Sequence, residues 1–170
     1  TLPRELSLKN GRLIQNPVRE LEAYRRERVI HQNIPVCGEI NLPGVQGRVL
    51  DMTVTVRPIG PERYRWFRIC VAKDGEHETI IRYRPDQGLL KLDRIRSGLP
   101  HDIVHTRSFL VRSRDGEIKL RIIFDRCSLE VFVNDGEQAA SAVIYTQQEA
   151  DAITFEASGS ALIDVEKYDL

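Results

Sequence analysis

The sequence predicts an all-β protein: an antiparallel two-sheet β-sandwich of lectin-like type, preceded by a hairpin and one short linker helix. Three observations carry this expectation. Apolar and polar residues alternate with period two in run after run, as half-buried antiparallel strands require. Asp-Gly pairs at 74–75, 115–116 and 135–136 punctuate these runs, and both residue types tolerate turn backbone. A helix start signal occurs in one short stretch only, so the pattern is that of strands joined by turns. At 170 residues the chain fits a single domain, which buries roughly two-thirds of its unfolded surface.

Leu6-Ser7-Leu8 and Arg12-Leu13-Ile14 flank Lys9-Asn10-Gly11. Asn-Gly between apolar runs is a strong hairpin signal, because a type I′ turn needs positive φ twice. Asn16-Pro17 then reads as the start of a helix, with Asn as N-cap and Pro at the first helical position. An isolated hairpin is marginal in water, so hairpin and helix are expected to dock on a neighbour. Residues 1–28 therefore read as a junction segment and 29–170 as the sandwich.

Leu50, Met52, Val54 and Val56 alternate with Asp51, Thr53, Thr55 and Arg57. Phe67, Ile69 and Val71 alternate with Trp66, Arg68 and Cys70. Strands are expected from Thr79 to Tyr83 and from Leu89 to Asp93. Ile118, Leu120, Ile122 and Phe124 share one face of a further strand, and Leu129, Val131 and Val133 one face of the next. Residues 139–146, 152–157 and 161–169 supply three more short strands. No internal repeat suggests a propeller.

Lys+Arg and Asp+Glu both number 25, so no net field draws nucleic acid or an anionic membrane, and neither is an expected partner. No run approaches the ~20 apolar residues of a membrane-spanning helix, and no signal peptide precedes Thr1. Cys37, Cys70 and Cys127 form no CxxC pair. A cysteine-based zinc site is thus not expected, and unpaired thiols favour a reducing compartment, the cytoplasm.

Two segments, TLPRELSLKNGRLIQNPVRELEAYR at 1–25 and FDRCSLEVFVNDGE at Phe124–Glu137, closely resemble parts of glycoside hydrolase family 32, the β-fructofuranosidases, invertases and sucrose-6-phosphate hydrolases. In that family a PREL hairpin closes a five-bladed propeller and a VRELE helix leads into a C-terminal β-sandwich. The second segment is similar to a strand–turn–strand unit near the end of that sandwich, with Cys127 where Ser is commoner. The resemblance implies a non-catalytic C-terminal module of an enzyme that cleaves β-fructofuranosides such as sucrose or sucrose-6-phosphate. It implies retaining hydrolysis through a fructosyl–Asp intermediate, with no metal or cofactor. It also implies a catalytic five-bladed propeller in the same protein, and it leaves room for a homodimer. The family's Asn-Asp-Pro-Asn-Gly, Arg-Asp-Pro and Glu-Cys motifs are absent from the sequence, so no catalytic residue carries over. Residues 1–28 would clamp the propeller, with Arg4, Glu5, Arg19 and Glu20 as polar contacts across the joint.

Other constellations suggest less. Asp125 and Glu130 flank the Arg126-Cys127-Ser128 turn, yet retaining chemistry needs carboxyls ~5 Å apart. The simpler expectation is a turn-capping Asp125 and a Glu130 on the solvated strand face. His101 and His105 sit four apart, but Pro100 and the Ile103-Val104 pair argue for loop or strand, where four residues span roughly 13 Å. No metal site is expected. Tyr64, Trp66 and Arg68 are expected to face outward, opposite Phe67, and could stack a sugar ring. They carry the alternative reading, an independent lectin-like carbohydrate-binding module.

Overall fold

The computed structural model describes residues 2–61, 64–98, 104–113 and 115–170. A hairpin of β1 (Arg4–Lys9) and β2 (Arg12–Pro17) leads into a 3₁₀ helix, Arg19–Tyr24. Then follow β3 (Arg26–Ile40), β4 (Val49–Pro58), β5 (Trp66–Lys73), β6 (Glu78–Arg84), β7 (Leu89–Arg96) and β8 (Thr106–Leu110). The chain ends with β9 (Ile118–Asp125), β10 (Ser128–Val133), a 3₁₀ turn at Asn134–Gly136, β11 (Gln138–Val143) and β12 (Ala152–Asp169). Every pairing is antiparallel.

Strand β12 belongs to both sheets of the sandwich. Its first half pairs with β5, from Ala152↔Lys73 to Ser158↔Trp66, and its second half with β4, from Ala161↔Pro58 to Asp169↔Leu50. Strand β3 follows β12 along both halves, with the register broken between Ala157 and Ala161. One sheet therefore runs β3–β12–β5–β6–β7–β8 and the other β3–β12–β4–β9–β10–β11. Gly159 lies in the break at φ +93, and a Cβ there would stand 3.2 Å from the Tyr64 Cα. The runs expected as separate strands at 152–157 and 161–169 are thus the two arms of one bent strand.

The inner faces follow the alternation in the sequence. Leu50, Met52, Val54 and Val56 of β4 meet Ile118, Leu120, Ile122 and Phe124 of β9 in the same buried cluster as Phe67, Ile69, Tyr83 and Leu90 from the facing sheet. Phe155, between β3 and β5, is fully buried and stacks on Phe67 at a centroid distance of 6.4 Å.

Two strands lack the simple pattern. The register of β3 breaks again opposite Ile163 and Val165 and opposite Lys167 and Asp169 of β12, and Glu27 and Asn33 take positive φ; bulges of this kind destroy period two. Strand β8 is five residues at the sheet edge, too short for a pattern. The expected α-helix is instead six residues of 3₁₀ helix, without a side-chain cap. Asn16 and Pro17 do not open it: Pro17 pairs with Arg4 in the hairpin, and the Val18 N–H bonds to Pro3 O. The strand ladder outcompetes helix nucleation, which is costly for so short a segment.

Arg48 pins the connection between β11 and β12. It is 5% exposed and donates to the carbonyls of Arg126, Gln147 and Ala150 and to Thr146 Oγ1, over the ring of Phe124. Burial lowers its pKa. The outer edges are closed by side chains as well: the Gln138 amide donates to Leu110 O at 2.7 Å, and Arg94 to Val143 O at 2.6 Å.

Two predictions follow from this packing. Phe155→Ala should cost about 3–5 kcal/mol, read as a lowered midpoint in urea unfolding. Arg57 donates to Asp164 and to the Asn33 side chain, and Asp164 Oδ1 accepts the Asn33 N–H at 2.7 Å. Arg57 holds the Asp164 carboxyl below its ordinary value of 3.8. A carboxylate depressed in the fold contributes stability above the unfolded value and loses it as pH falls through the folded one. Asp164→Asn should therefore lower Tm at neutral pH, and the gap to the parent should close in thermal melts run progressively below the carboxylate range.

Candidate interdomain interface

Alternation that sends Leu50 and Met52 inward sends Asp51 outward, and the same holds for Glu130 and Phe132 between Leu129, Val131 and Val133. Register sets Asp51, Ile123, Glu130 and Ser141 side by side across β4, β9, β10 and β11. A bare outer face would leave these residues wet. Instead Asp51, Ile123, Glu130 and Phe132 are each 1% exposed, and the polar groups among them are held by the N-terminal segment.

Two charge clusters fasten that segment. At the hairpin base Arg4 reaches Glu130 at 2.5 Å, Ser141 Oγ at 2.8 Å and Gln15 at 3.0 Å, with its guanidinium 5.4 Å from the Phe132 ring centroid. Glu130 also accepts the Leu2 N–H and the Ser141 hydroxyl. After the 3₁₀ helix, Arg25 and Arg121 both donate to Asp51, at 2.7–3.0 Å. Glu22 lies within 3.6 Å of both arginines. The Arg25 guanidinium covers Tyr168 at 4.6 Å, and the Tyr168 hydroxyl donates to Glu166. Buried carboxylates are tolerated only when paired and hydrogen-bonded, and both are here. Backbone contact completes the seat: Gly136 sits at φ +95, where a Cβ would lie 2.5 Å from Gln15 O.

Beyond this base the hairpin tip projects. Leu6, Leu8 and Leu13 are 63, 79 and 51% exposed, and Leu8 stands opposite Leu13 in the ladder. Tyr24, at the end of the 3₁₀ helix, is 62% exposed.

The four residues expected at a joint separate into different roles. Arg4 grips its own sandwich. Glu5 and Arg19 pair with each other at 2.8 Å on the surface, and the Arg19 guanidinium holds the Glu5 carboxyl below its ordinary range. Glu20 is exposed in the first helical turn. Sequence reasoning missed Arg25, Asp51, Arg121 and Tyr168, and gave Glu130 a solvated face. A charged residue at an outward strand position carries no sign of what will cover it.

The expected stacking platform also changes. Trp66 and Arg68 point outward, but Tyr64 is 1% exposed, with its hydroxyl donating to Gly116 O and its ring edge-on to Phe67 and Tyr83. It precedes β5 rather than lying in it, so the strand's alternation does not extend to it. The Trp66 ring carries the Arg68 and Arg82 guanidinium groups at 5.5 and 5.8 Å, and Arg68 is paired with Glu156. Asp125 is exposed while Glu130 is buried, although the register places both on the outer sheet face. His105 is half-buried, and His101 lies outside the described residues. Among the described residues no group of three His, Cys, Asp or Glu could hold a metal ion, and no helix is long and apolar enough to cross a membrane.

Residues 20–169 match the family model described as "Glycosyl hydrolases family 32 C terminal". The chain is 33% identical over 171 residues to raffinose invertase of Escherichia coli, covering 96% of this chain and 33% of that protein. It is 30% identical over 173 residues to sucrose-6-phosphate hydrolase of Staphylococcus xylosus, covering 100% of this chain and 34% of that protein. It thus spans about a third of the length of these relatives. Among solved structures, fructan 1-exohydrolase IIa of Cichorium intybus superposes with a TM-score of 0.87 at 21% identity, over 100% of this chain and 40% of that one. That likeness shows a shared fold.

Removing Asp51 would leave two guanidinium groups facing each other without their carboxylate. Asp51→Ala should cost about 3–5 kcal/mol, whereas Arg19→Ala, on the exposed pair, should leave the urea midpoint unchanged.

Proposed function

Because the chain belongs to glycoside hydrolase family 32, as its C-terminal domain, we propose that it is the non-catalytic sandwich of an enzyme that cleaves β-fructofuranosides such as sucrose or sucrose-6-phosphate. Its task in this reading is to seat the catalytic domain, a five-bladed propeller, and to stabilise it. Residues 1–28 form the joint. The observation that carries the reading is the division of the N-terminal hairpin: its base is fastened to the sandwich by Arg4 and Glu130, while its tip presents Leu6, Leu8 and Leu13 to solvent. A patch of this kind on a soluble domain marks a contact surface. Fastening the base fixes where that surface points.

The chemistry of the reaction then belongs to the partner domain, and this chain contributes no group to the reacting atoms. Cys37, Cys70 and Cys127 form no disulfide with one another, which suits a reducing compartment such as the cytoplasm. Burial pushes the Cys70 thiol up to about 11, so it acts as core rather than as a nucleophile. A lectin-like module is the weaker reading, since Tyr64 is inside the core and Trp66 is already covered by guanidinium groups.

The test is a two-piece reconstitution. The 170-residue chain should not hydrolyse sucrose, and it should bind the separately expressed catalytic domain encoded upstream. Leu8→Asp should weaken that association at least tenfold in a calorimetric titration, the scale expected for losing one buried leucine. Sucrose hydrolysis by the chain alone, or association indifferent to Leu8, would overturn the proposal.

A further inference from the structure

Eight of the twenty arginines of this chain, Arg4, Arg19, Arg25, Arg28, Arg57, Arg68, Arg96 and Arg121, each meet a carboxylate within ion-pair distance. On the outer face of the sheet that holds β5, β6 and β7, cations are brought close together. There Arg68, Arg82 and Lys91 stand side by side across β5, β6 and β7, an arrangement of like charges that costs stability. Glu156 answers Arg68 and Asp93 answers Lys91. Among the described residues no carboxylate answers Arg82, whose Nε is buried without a hydrogen-bond partner. Nor does any pair with Arg65 or Arg84.

Arg65 and Arg84 border a cavity. Tyr64, Arg65, Trp66, Arg84, Pro85 and Asp86 line a depression of about 370 Å³ where β5 begins and the β6–β7 turn closes. Its volume is in the range of small-ligand sites and exceeds what a bare inorganic anion fills. The Trp66 ring forms one wall and is itself capped by Arg68 and Arg82, so its face is not free to stack a neutral sugar. Recognition at this wall must run through guanidinium groups, whose planar donors match phosphate oxygens two at a time. Asp86 contributes an exposed acceptor in the same lining and lies outside ion-pair distance of Arg84. A carboxylate there repels a polyanion and accepts hydrogen bonds from hydroxyls.

From this set of groups we propose that the cavity binds a hydroxylated organic monophosphate of sugar-phosphate size. Arg65 and Arg84 hold the phosphate, Asp86 takes hydroxyl hydrogens, and Trp66 closes the side. The site stands on residues of the sandwich alone and does not depend on the docking proposed above.

Trp66 is the only tryptophan of the chain, so its fluorescence reports on this wall. The experiment titrates the 170-residue chain with glucose 6-phosphate, glucose and inorganic phosphate in parallel. The expected result is a saturable change with glucose 6-phosphate and at least tenfold weaker responses to glucose and to phosphate. The double variant Arg65→Ala/Arg84→Ala should weaken the sugar phosphate at least tenfold, with its fold checked by far-UV circular dichroism. Asp86→Asn, on an exposed turn, should weaken the sugar phosphate several-fold and leave the phosphate response unchanged. Equal affinity for glucose 6-phosphate and inorganic phosphate would reduce the site to general charge attraction and overturn the proposal. So would binding unaltered in these variants, or no saturable response at all.

Discussion

The sandwich depends on one strand being shared. Strand β12 supplies eighteen residues, enough for a full-length member of each sheet, and the bend at Gly159 passes it from one to the other. Two sheets joined by loops alone could slide or splay. Two sheets that share a backbone, with β3 laced along the same bend, have their relative angle set by covalent geometry and by ladder hydrogen bonds. The core then has a fixed gap to fill. Phe67 and Phe155 meet across β5 and β12 because the register of that shared strand places them there.

The N-terminal segment uses a different principle. It lies on an outer face, where apolar complementarity is limited, and it holds by matching buried carboxylates with guanidinium groups. Such contacts add less to net stability than their geometry suggests, because desolvation opposes them. What they provide is register. Asp51 accepts from Arg25 and Arg121 together, and Glu130 accepts from Arg4, Leu2 and Ser141, so a displaced segment would strand both acids. The hairpin therefore leaves the sandwich in one direction.

Much of the fold is legible in the sequence where one face is wet and the other dry. In β4, β9 and β10 the alternation names the inward residues correctly. Legibility fails where tertiary contacts override local pattern. Bulges hide β3, shortness hides β8, and the ladder with β1 keeps Asn16 and Pro17 out of the helix that their residue types predict. Tyr64 reads as a surface aromatic by counting from Phe67, yet the chain turns before β5 and takes its ring into the core. At the interface the hairpin and its apolar tip are visible as Asn-Gly between leucines. Asp51 and Glu130 are not, because outward acids look alike until something covers them.

The side-chain closures at Leu110 and Val143 have a consequence for how copies of this domain can meet. Strands β8 and β11 end the two sheets, and an open edge is a template on which another chain can extend the ladder, the route by which β proteins polymerise. Gln138 and Arg94 occupy acceptors on those edges, so an incoming strand would have to displace a hydrogen bond before making one. Addition of strands end upon end is thereby discouraged at these two margins. At these edges side chains, and hence sequence, choose the partner.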